Sequence, residues 1–303
     1  MRSVHGDELA HSEAAIQKPR STPGEICQQI GDELRKLLRA KKLSTSRLLR
    51  ATVGVPAIVN VDEGTVLAFT PLQDWRNVPL GAMLSRELKC PVQVDNDTNL
   101  AAVGEFHSGA AVGEKNFVFI TIGEGVGAGI FLNGSIYRGS QWSAGEIGYL
   151  RVPSISREHP AIHKYGELET VLSASGILQS WRSSGHMPRN RSRAHRVEEV
   201  WDLAASGNAE ARRILRQRAT ILADVILDLA LVLNPNLILL GGEVGNHPAL
   251  LKEVNQLLEG SEFAVARVAL GTLGTQAILR GAVSVALEPA ILRLLRAAGG
   301  GVT

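Results

Sequence analysis

The stretch that decides the fold is Phe117-Val-Phe-Ile-Thr-Ile122, followed by Gly123-Glu-Gly-Val-Gly-Ala-Gly129. Six apolar or β-branched residues in a row predict a buried strand. Glycines at 123, 125, 127 and 129 follow at once. Glycine lets backbone N–H groups approach an anion closely. A dinucleotide fingerprint must lead into a helix. Here the chain continues as Ile130-Phe-Leu132, Asn133-Gly134 and Ser135-Ile-Tyr137. That pattern predicts a hairpin closed by a type I′ turn, so the dinucleotide reading fails. A strand–turn–strand that grips phosphate is the functional reading. A hairpin without a ligand is the alternative.

Working outward, Thr22-Pro23-Gly24-Glu25 reads as a capped helix start. Thr22 is the expected N-cap, Pro23 fits the first turn, and Glu25 closes a capping box. Ile26, Ile30, Leu34, Leu37 and Leu38 keep helical spacing. Ala51–Val55 predicts a strand stopped by Pro56, and Pro91–Val94 predicts another. An Ala-rich helix is expected over Leu100–Phe106. The basic stretch Arg182–Arg196, with Arg189, Arg191 and Arg193, is expected as a solvated loop. A long helix is expected over Ala209–Leu233, a strand over Leu237–Leu240, and a helix over Gln276–Leu287. Strands alternating with helices predict an α/β protein.

The 303 residues suffice for two domains. With 45% hydrophobic and 20% charged residues, the composition is that of a globular chain, not a disordered one. Thirty-two basic residues against thirty acidic ones give a net charge of +2, which gives no reason to expect a dedicated nucleic-acid surface. Cys27 and Cys90 are too few for a disulfide scaffold and fit a reduced, cytoplasmic setting. Residues 1–18 show no apolar central run of a signal peptide. The longest apolar stretch, Val225–Leu240, is broken by Asp228, Asn234, Pro235 and Asn236, so no membrane-spanning segment is expected.

Asp95-Asn96-Asp97-Thr98-Asn99 follows a predicted strand. Strand ends opening into loops carry reactive side chains in α/β proteins. A carboxylate beside amides suits a general base acting on a hydroxyl, with Asn96 holding neighbouring hydroxyls. The alternative is an Asx-rich helix start, with Asp97 or Thr98 as N-cap.

An ordered set of segments resembles the ROK family (repressors, open reading frames and sugar kinases). They are Gly54-Val-Pro56, Trp75–Pro79, Val94–Ala102, Gly104-Glu105, Thr121–Gly129, Tyr137-Arg-Gly139, Ala144-Gly-Glu-Ile-Gly148, Leu168-Glu169 and Asn234–Gly242. The resemblance implies a two-lobed, ribonuclease-H-like fold of the actin/hexokinase ATPase type. It implies an N-terminal lobe over 1–98, with a C-terminal helix at 286–303 packing back on it, and a C-terminal lobe over 99–285. Asp97 matches the family's catalytic base. Asn96, Glu146 and Glu169 match sugar ligands, and Tyr149 belongs to the same loop. Gly123, Gly125 and Gly127 match the second phosphate loop, and Gly241 and Gly242 the strip beside the adenosine.

The chain also departs from the family pattern. Family kinases carry an Asp-x-Gly-Gly-Thr phosphate turn after a first strand, and no such run occurs in the 303 residues. The expectation is an N-terminal lobe lacking that strand and loop. The family's zinc site uses a His and three cysteines. Here Tyr149 takes the His position and no Cys follows Cys90, so no structural zinc is expected. His159 and His163 without thiolates make a weak metal pair. Glu124 puts a carboxylate where active kinases carry a small hydroxyl residue, and Pro71 stands where many members carry an Asn. These features are similar to the zinc-less regulator branch.

The expected function is therefore a sugar-sensing core of a transcriptional regulator. The alternative is an ATP-dependent hexose or N-acylhexosamine kinase using Asp97, with ATP and Mg²⁺ as its cofactors. The expected partners are a small-molecule sugar and a second copy of the chain. DNA is expected to be met only through a separate helix-turn-helix head.

Overall fold

The computed structural model describes residues 1–5, 7–16, 21–68, 75–153, 166–184, 196–261 and 266–298. The chain divides into two compact units. Unit 1 comprises Met1–Gly104, Gly139–Ser143 and Ile278–Thr303; unit 2 comprises Glu105–Arg138 and Ala144–Ala277.

Unit 1 opens with helix α1 (Pro23–Ala40). The capping box is present: Thr22 Oγ1 accepts from the Glu25 N–H, and the Glu25 carboxylate accepts from the Thr22 N–H at 2.9 Å. Strand β1 (Ala51–Val55) pairs in parallel with β4 (Val92–Asn96), Ala51 opposite Val92 and Val55 opposite Asn96. Strands β2 (Ile58–Asn60) and β3 (Thr65–Ala68) form an antiparallel pair, and helix α2 (Leu80–Leu88) precedes β4. Val59, Val66, Trp75, Leu80, Leu84 and Val94 form the core. The Arg35 guanidinium donates to Glu87 at 2.7 Å, tying α1 to α2.

Strand β4 runs two residues beyond the expected Val94, so Asp95 and Asn96 lie within it. Helix α3 (Asp97–Ser108) starts three residues before the expected Leu100. The reason is capping. Asn96 Oδ1 accepts from the Asn99 N–H at 3.0 Å, so Asn96 takes the cap role expected of Asp97 or Thr98. The two helical readings near the C-terminus, 276–287 and 286–303, are one helix over Ala277–Ala298 that runs through Pro289.

Unit 2 is built on a five-stranded sheet: β5 (Phe117–Ile122), β6 (Val126–Leu132), β7 (Ser135–Tyr137), β8 (Leu237–Gly241) and β9 (Arg267–Leu270), in the order β7-β6-β5-β8-β9. β5 pairs antiparallel with β6 and parallel with β8. Asn133 and Gly134 both have positive φ, 53° and 78°, as the I′ turn requires. Helices α4 (Glu167–Leu172), α5 (Ala174–Ser183), α6 (Val197–Ala205), α7 (Ala209–Leu233), the short α8 (Gly242–Gly245) and α9 (Pro248–Leu258) complete the unit. Ile120, Leu168, Trp201, Ile214, Leu222 and Leu240 sit at its centre, fully buried. The expected loop over 182–196 is helical at its start, where Arg182 closes α5. Arg196 stands at the N-cap position of α6 without a side-chain cap bond, and Arg189, Arg191 and Arg193 lie outside the described residues. Among the described residues no helix is long and apolar enough to cross a membrane.

Candidate functional site

In unit 1 the candidate residues gather where β4 gives way to α3. Gly54 allows this. A Cβ there would meet Leu100 Cδ1 at 3.0 Å and the Asp97 backbone at 3.5 Å. β1 thus lies directly against the start of α3. Asn96 is committed to the protein on both sides of its amide: Nδ2 donates to Ala57 O at 3.2 Å, and Oδ1 caps α3. One N–H and one lone pair are left for a ligand.

Asp97 is held differently. Its Oδ1 accepts from the Thr98 N–H at 2.7 Å, with the Thr98 hydroxyl at 3.5 Å. The carboxyl also meets its own backbone N–H, and no other described residue donates to Oδ2. Burial pushes the carboxyl above its ordinary value, and the Thr98 N–H opposes that shift. A half-buried carboxylate with one oxygen that no other described residue engages, and a raised affinity for protons, has the chemistry of a general base. Asp95, one residue before Asn96, is fully buried, and its Oδ1 accepts from the Asn96 N–H at 2.9 Å.

In unit 2 Glu169 joins three segments. Its Oε2 accepts from the Val126 N–H at 3.0 Å. A Cβ on Gly125 would stand 3.1 Å from that oxygen, and one on Gly148 would stand 3.3 Å from it. The glycine turn, the Glu146–Tyr149 loop and α4 therefore meet at one carboxylate. Burial raises the Glu169 carboxyl, and the Val126 N–H counters in part. Glu146 precedes a short 3₁₀ turn (Ile147–Tyr149) whose last residue, Tyr149, is exposed. Gly145 fixes this loop. Its φ is +93°, and a Cβ would fall 1.9 Å from Ala128 O.

The turn itself is tight: the Gly123 N–H donates to Gly125 O at 2.9 Å. Glu124 is exposed at its tip, and Gly127 lies within β6 opposite Thr121. A Cβ on Gly123 would stand 3.8 Å from the Glu243 N–H nitrogen, so the β8–α8 turn lies beside it. Gly241 and Gly242 also have packing reasons. A Cβ on Gly241 would strike the Phe119 ring at 2.2 Å, and Gly242 has φ +81° with Ile122 O at 2.4 Å. Backbone N–H groups here suit phosphate, but Glu124 and Glu169 border the turn with negative charge.

Glu105 belongs to the Gly104-Glu105 motif, which assigns it no role, and no motif singles out Glu167. Glu105 is fully buried and accepts from the Ala110 N–H at 2.7 Å, the Leu273 N–H at 2.9 Å and the Thr272 hydroxyl at 3.3 Å. Glu167 is buried and accepts from the Val152 N–H at 2.8 Å, holding the far end of the Tyr149 loop. For Glu105 the motif is the one local signal, and nothing local distinguishes Glu167 from a surface glutamate. Among the described residues no group of three His, Cys, Asp or Glu could hold a metal ion. His159, His163 and Pro71 lie outside the described residues.

A parallel β5–β8 pair with an antiparallel hairpin beside it defines a mixed-sheet α/β fold with candidate polar groups at its strand ends. The chain belongs to the ROK family, whose model matches residues 6–288. A glucokinase from Halalkalibacterium halodurans is 36% identical over 267 residues, covering 83% of this chain and 80% of the relative. A ROK family transcriptional regulator, a homolog of the E. coli MLC protein, has a solved structure at a TM-score of 0.82 and 25% identity, covering 98% of this chain and 77% of that one. The ROK hexokinase from Thermus thermophilus superposes at a TM-score of 0.70 with 24% identity over 91% of this chain and 89% of its own. The fold is therefore the actin/hexokinase-type ATPase fold, and the family's relatives include both kinases and transcriptional regulators.

Proposed function

We propose that this protein binds a sugar through Asn96, Asp97, Glu146, Tyr149 and Glu169 and acts as the sugar-sensing core of a transcriptional regulator. The observation that carries the sugar-binding part is the state of Asp97. A carboxylate with one oxygen committed to Thr98, and one that no other described residue engages, accepts a hydroxyl proton without disturbing the helix start. Glu169 adds a second carboxylate, and the remaining amide capacity of Asn96 adds a donor and an acceptor. Hydrogen bonds from neutral hydroxyls to carboxylates are the strong kind. The sensing part is supported by Tyr149 in place of the zinc-ligand His, by the carboxylates around the glycine turn, and by the likeness to a regulator across most of the chain. In this reading the protein is a cytoplasmic homodimer, and a separate helix-turn-helix segment meets the DNA.

A second reading is favoured by Asp97 itself and by the glucokinase relative. Here Asp97 takes the proton of a sugar hydroxyl as that oxygen attacks the γ-phosphorus of ATP. The new bond is sugar O–P, the bond to the ADP oxygen breaks, and the proton stays on Asp97 Oδ2. The turns at Gly123–Gly127 and Gly241–Gly242 would hold the nucleotide, and Mg²⁺ would supply neutralisation of phosphate charge.

The test is ADP release over a panel of hexoses and N-acylhexosamines, beside thermal unfolding with the same sugars. Sugar-induced stabilisation without ADP supports the sensor. Sugar-dependent ADP release abolished by Asp97→Asn replaces it with the kinase. A full panel with neither response sinks both.

A further inference from the structure

Helices α5 and α7 of unit 2 border a cleft of about 780 Å³ lined by Thr170, Gln179, Ser180, Glu210, Arg213 and Arg218, among other polar residues. None of the candidate sugar or nucleotide residues lines it. The arginines of the first half of α7 are treated unequally. Arg213 pairs with Glu210 through two nitrogens, at 2.9 and 2.5 Å. Arg216 pairs with Glu253 at 3.2 Å, and Arg212 donates to Ala204 O at 3.0 Å. All three are exposed. Arg218 is half-buried, yet among the described residues it has no carboxylate partner. Its Nη2 donates to Ser180 Oγ, and its enclosed Nε has no acceptor. Burial, and then the Arg213 charge, push this guanidinium below its ordinary value.

A partly desolvated cation with an orphaned donor is costly to keep. Glu210 does not offset it, because Arg213 already neutralises Glu210. Among the described lining residues, two arginines therefore stand against one glutamate, beside hydroxyl and amide groups. The Thr170, Ser180, Ser183 and Ser184 hydroxyls donate to backbone carbonyls, so the contact the cleft offers a tetrahedral oxyanion is the charge of the Arg218 guanidinium. We propose that this cleft binds such an anion, free or as the phosphate group of an ester, with Arg218 as the anchoring cation and Ser180 positioning it. The volume exceeds what a lone phosphate fills and leaves room for the organic part of an ester. The proposal is independent of whether the protein is a sensor or a kinase.

The test is calorimetric titration of inorganic phosphate, a hexose phosphate and the unphosphorylated hexose into the full chain. Saturable phosphate binding is expected, weakened at least about tenfold in Arg218→Gln. Tighter binding of the hexose phosphate than of phosphate assigns the ester, and equal binding assigns the free anion. Arg218→Gln should unfold at the same temperature as the parent or higher, because it removes an unpaired charge. Ser180→Ala keeps that charge and should weaken phosphate binding about threefold or more, which decides the matter if Arg218→Gln does not fold. Absence of saturable binding overturns the proposal. So does affinity that both variants leave unchanged, which would put the anion at the glycine turn. Loss of dimer in Arg218→Gln with no anion binding by the parent would assign Arg218 to a subunit contact instead.

Discussion

Replacing Asp97 by Asn separates a ligand-binding carboxylate from a structural one. Asn has nearly the same shape and keeps an acceptor for the Thr98 N–H, which now stands 2.7 Å from Oδ1. The carboxyl's proton affinity is raised in the fold by burial. A raised folded pKa means that the neutral form is favoured by folding. Its stabilising contribution is complete below the unfolded value of about 3.9 and is lost as pH rises through the folded value. At neutral pH the charge therefore costs stability, and Asn removes that cost. The exchange gives up a charge-assisted hydrogen bond for a neutral one, worth about 1 kcal/mol. The two effects oppose, so stability should change by less than about 1 kcal/mol, or roughly 2–4 °C in Tm for a chain of this size. Ligand binding should behave otherwise. A hydroxyl bound to a carboxylate is worth about 1.5–3 kcal/mol, so sugar affinity should fall roughly 10- to 150-fold. If the protein is a kinase, loss of the base should also slow turnover about 10²- to 10⁴-fold. Thermal unfolding without sugar and calorimetric sugar titration measure the two effects. A Tm drop of 8 °C or more, on the order of 2 kcal/mol or above, with unchanged sugar affinity would refute the reasoning. It would show that Asp97 is a structural cap.

Glu169 should make sugar binding pH-dependent. Its carboxyl is raised by burial, so affinity should weaken as pH falls from neutral through the folded value, and Glu169→Gln should flatten that dependence. Calorimetry at a series of pH values checks it. Glu105→Ala would strip the acceptor from two backbone N–H groups and the Thr272 hydroxyl. At about 1–3 kcal/mol per buried unsatisfied group, urea unfolding should show a loss of roughly 3–5 kcal/mol. Gly145→Ala combines φ +93° with a Cβ 1.9 Å from Ala128 O. It should cost about 2–5 kcal/mol and displace the Glu146 loop, so sugar affinity should drop along with the denaturation midpoint.

The local grammar was readable wherever the deciding contacts span a few residues. Thr22, Pro23 and Glu25 announce α1, and the capping box is there. Asn133-Gly134 announces a turn whose two positive φ values match. The periodicity over 209–233 marks α7 at both ends. Boundaries failed where a competing contact was available. The sequence offered either Asn96 as a hydroxyl ligand or a helix start capped by Asp97 or Thr98, but Asn96, whose amide also donates to Ala57 O 39 residues away, itself caps α3. The segments around Leu287 looked like two helices, yet one helix continues through Pro289.

By itself the sequence determined the element types, the family and the residue types available for chemistry, because periodicity, turn residues and ordered motifs are properties of neighbours along the chain. The tertiary structure alone decided what each side chain is committed to. Glu169 reaches Val126 across 43 residues, Glu105 reaches Leu273 across 168, and Arg218 meets Ser180 across 38. These partners are set by strand register, such as Phe117 opposite Leu237, and by helix packing. Burial then shifts proton affinities and leaves Arg218 half-buried with no carboxylate partner among the described residues. Desolvation belongs to a folded surface, and no local pattern encodes it.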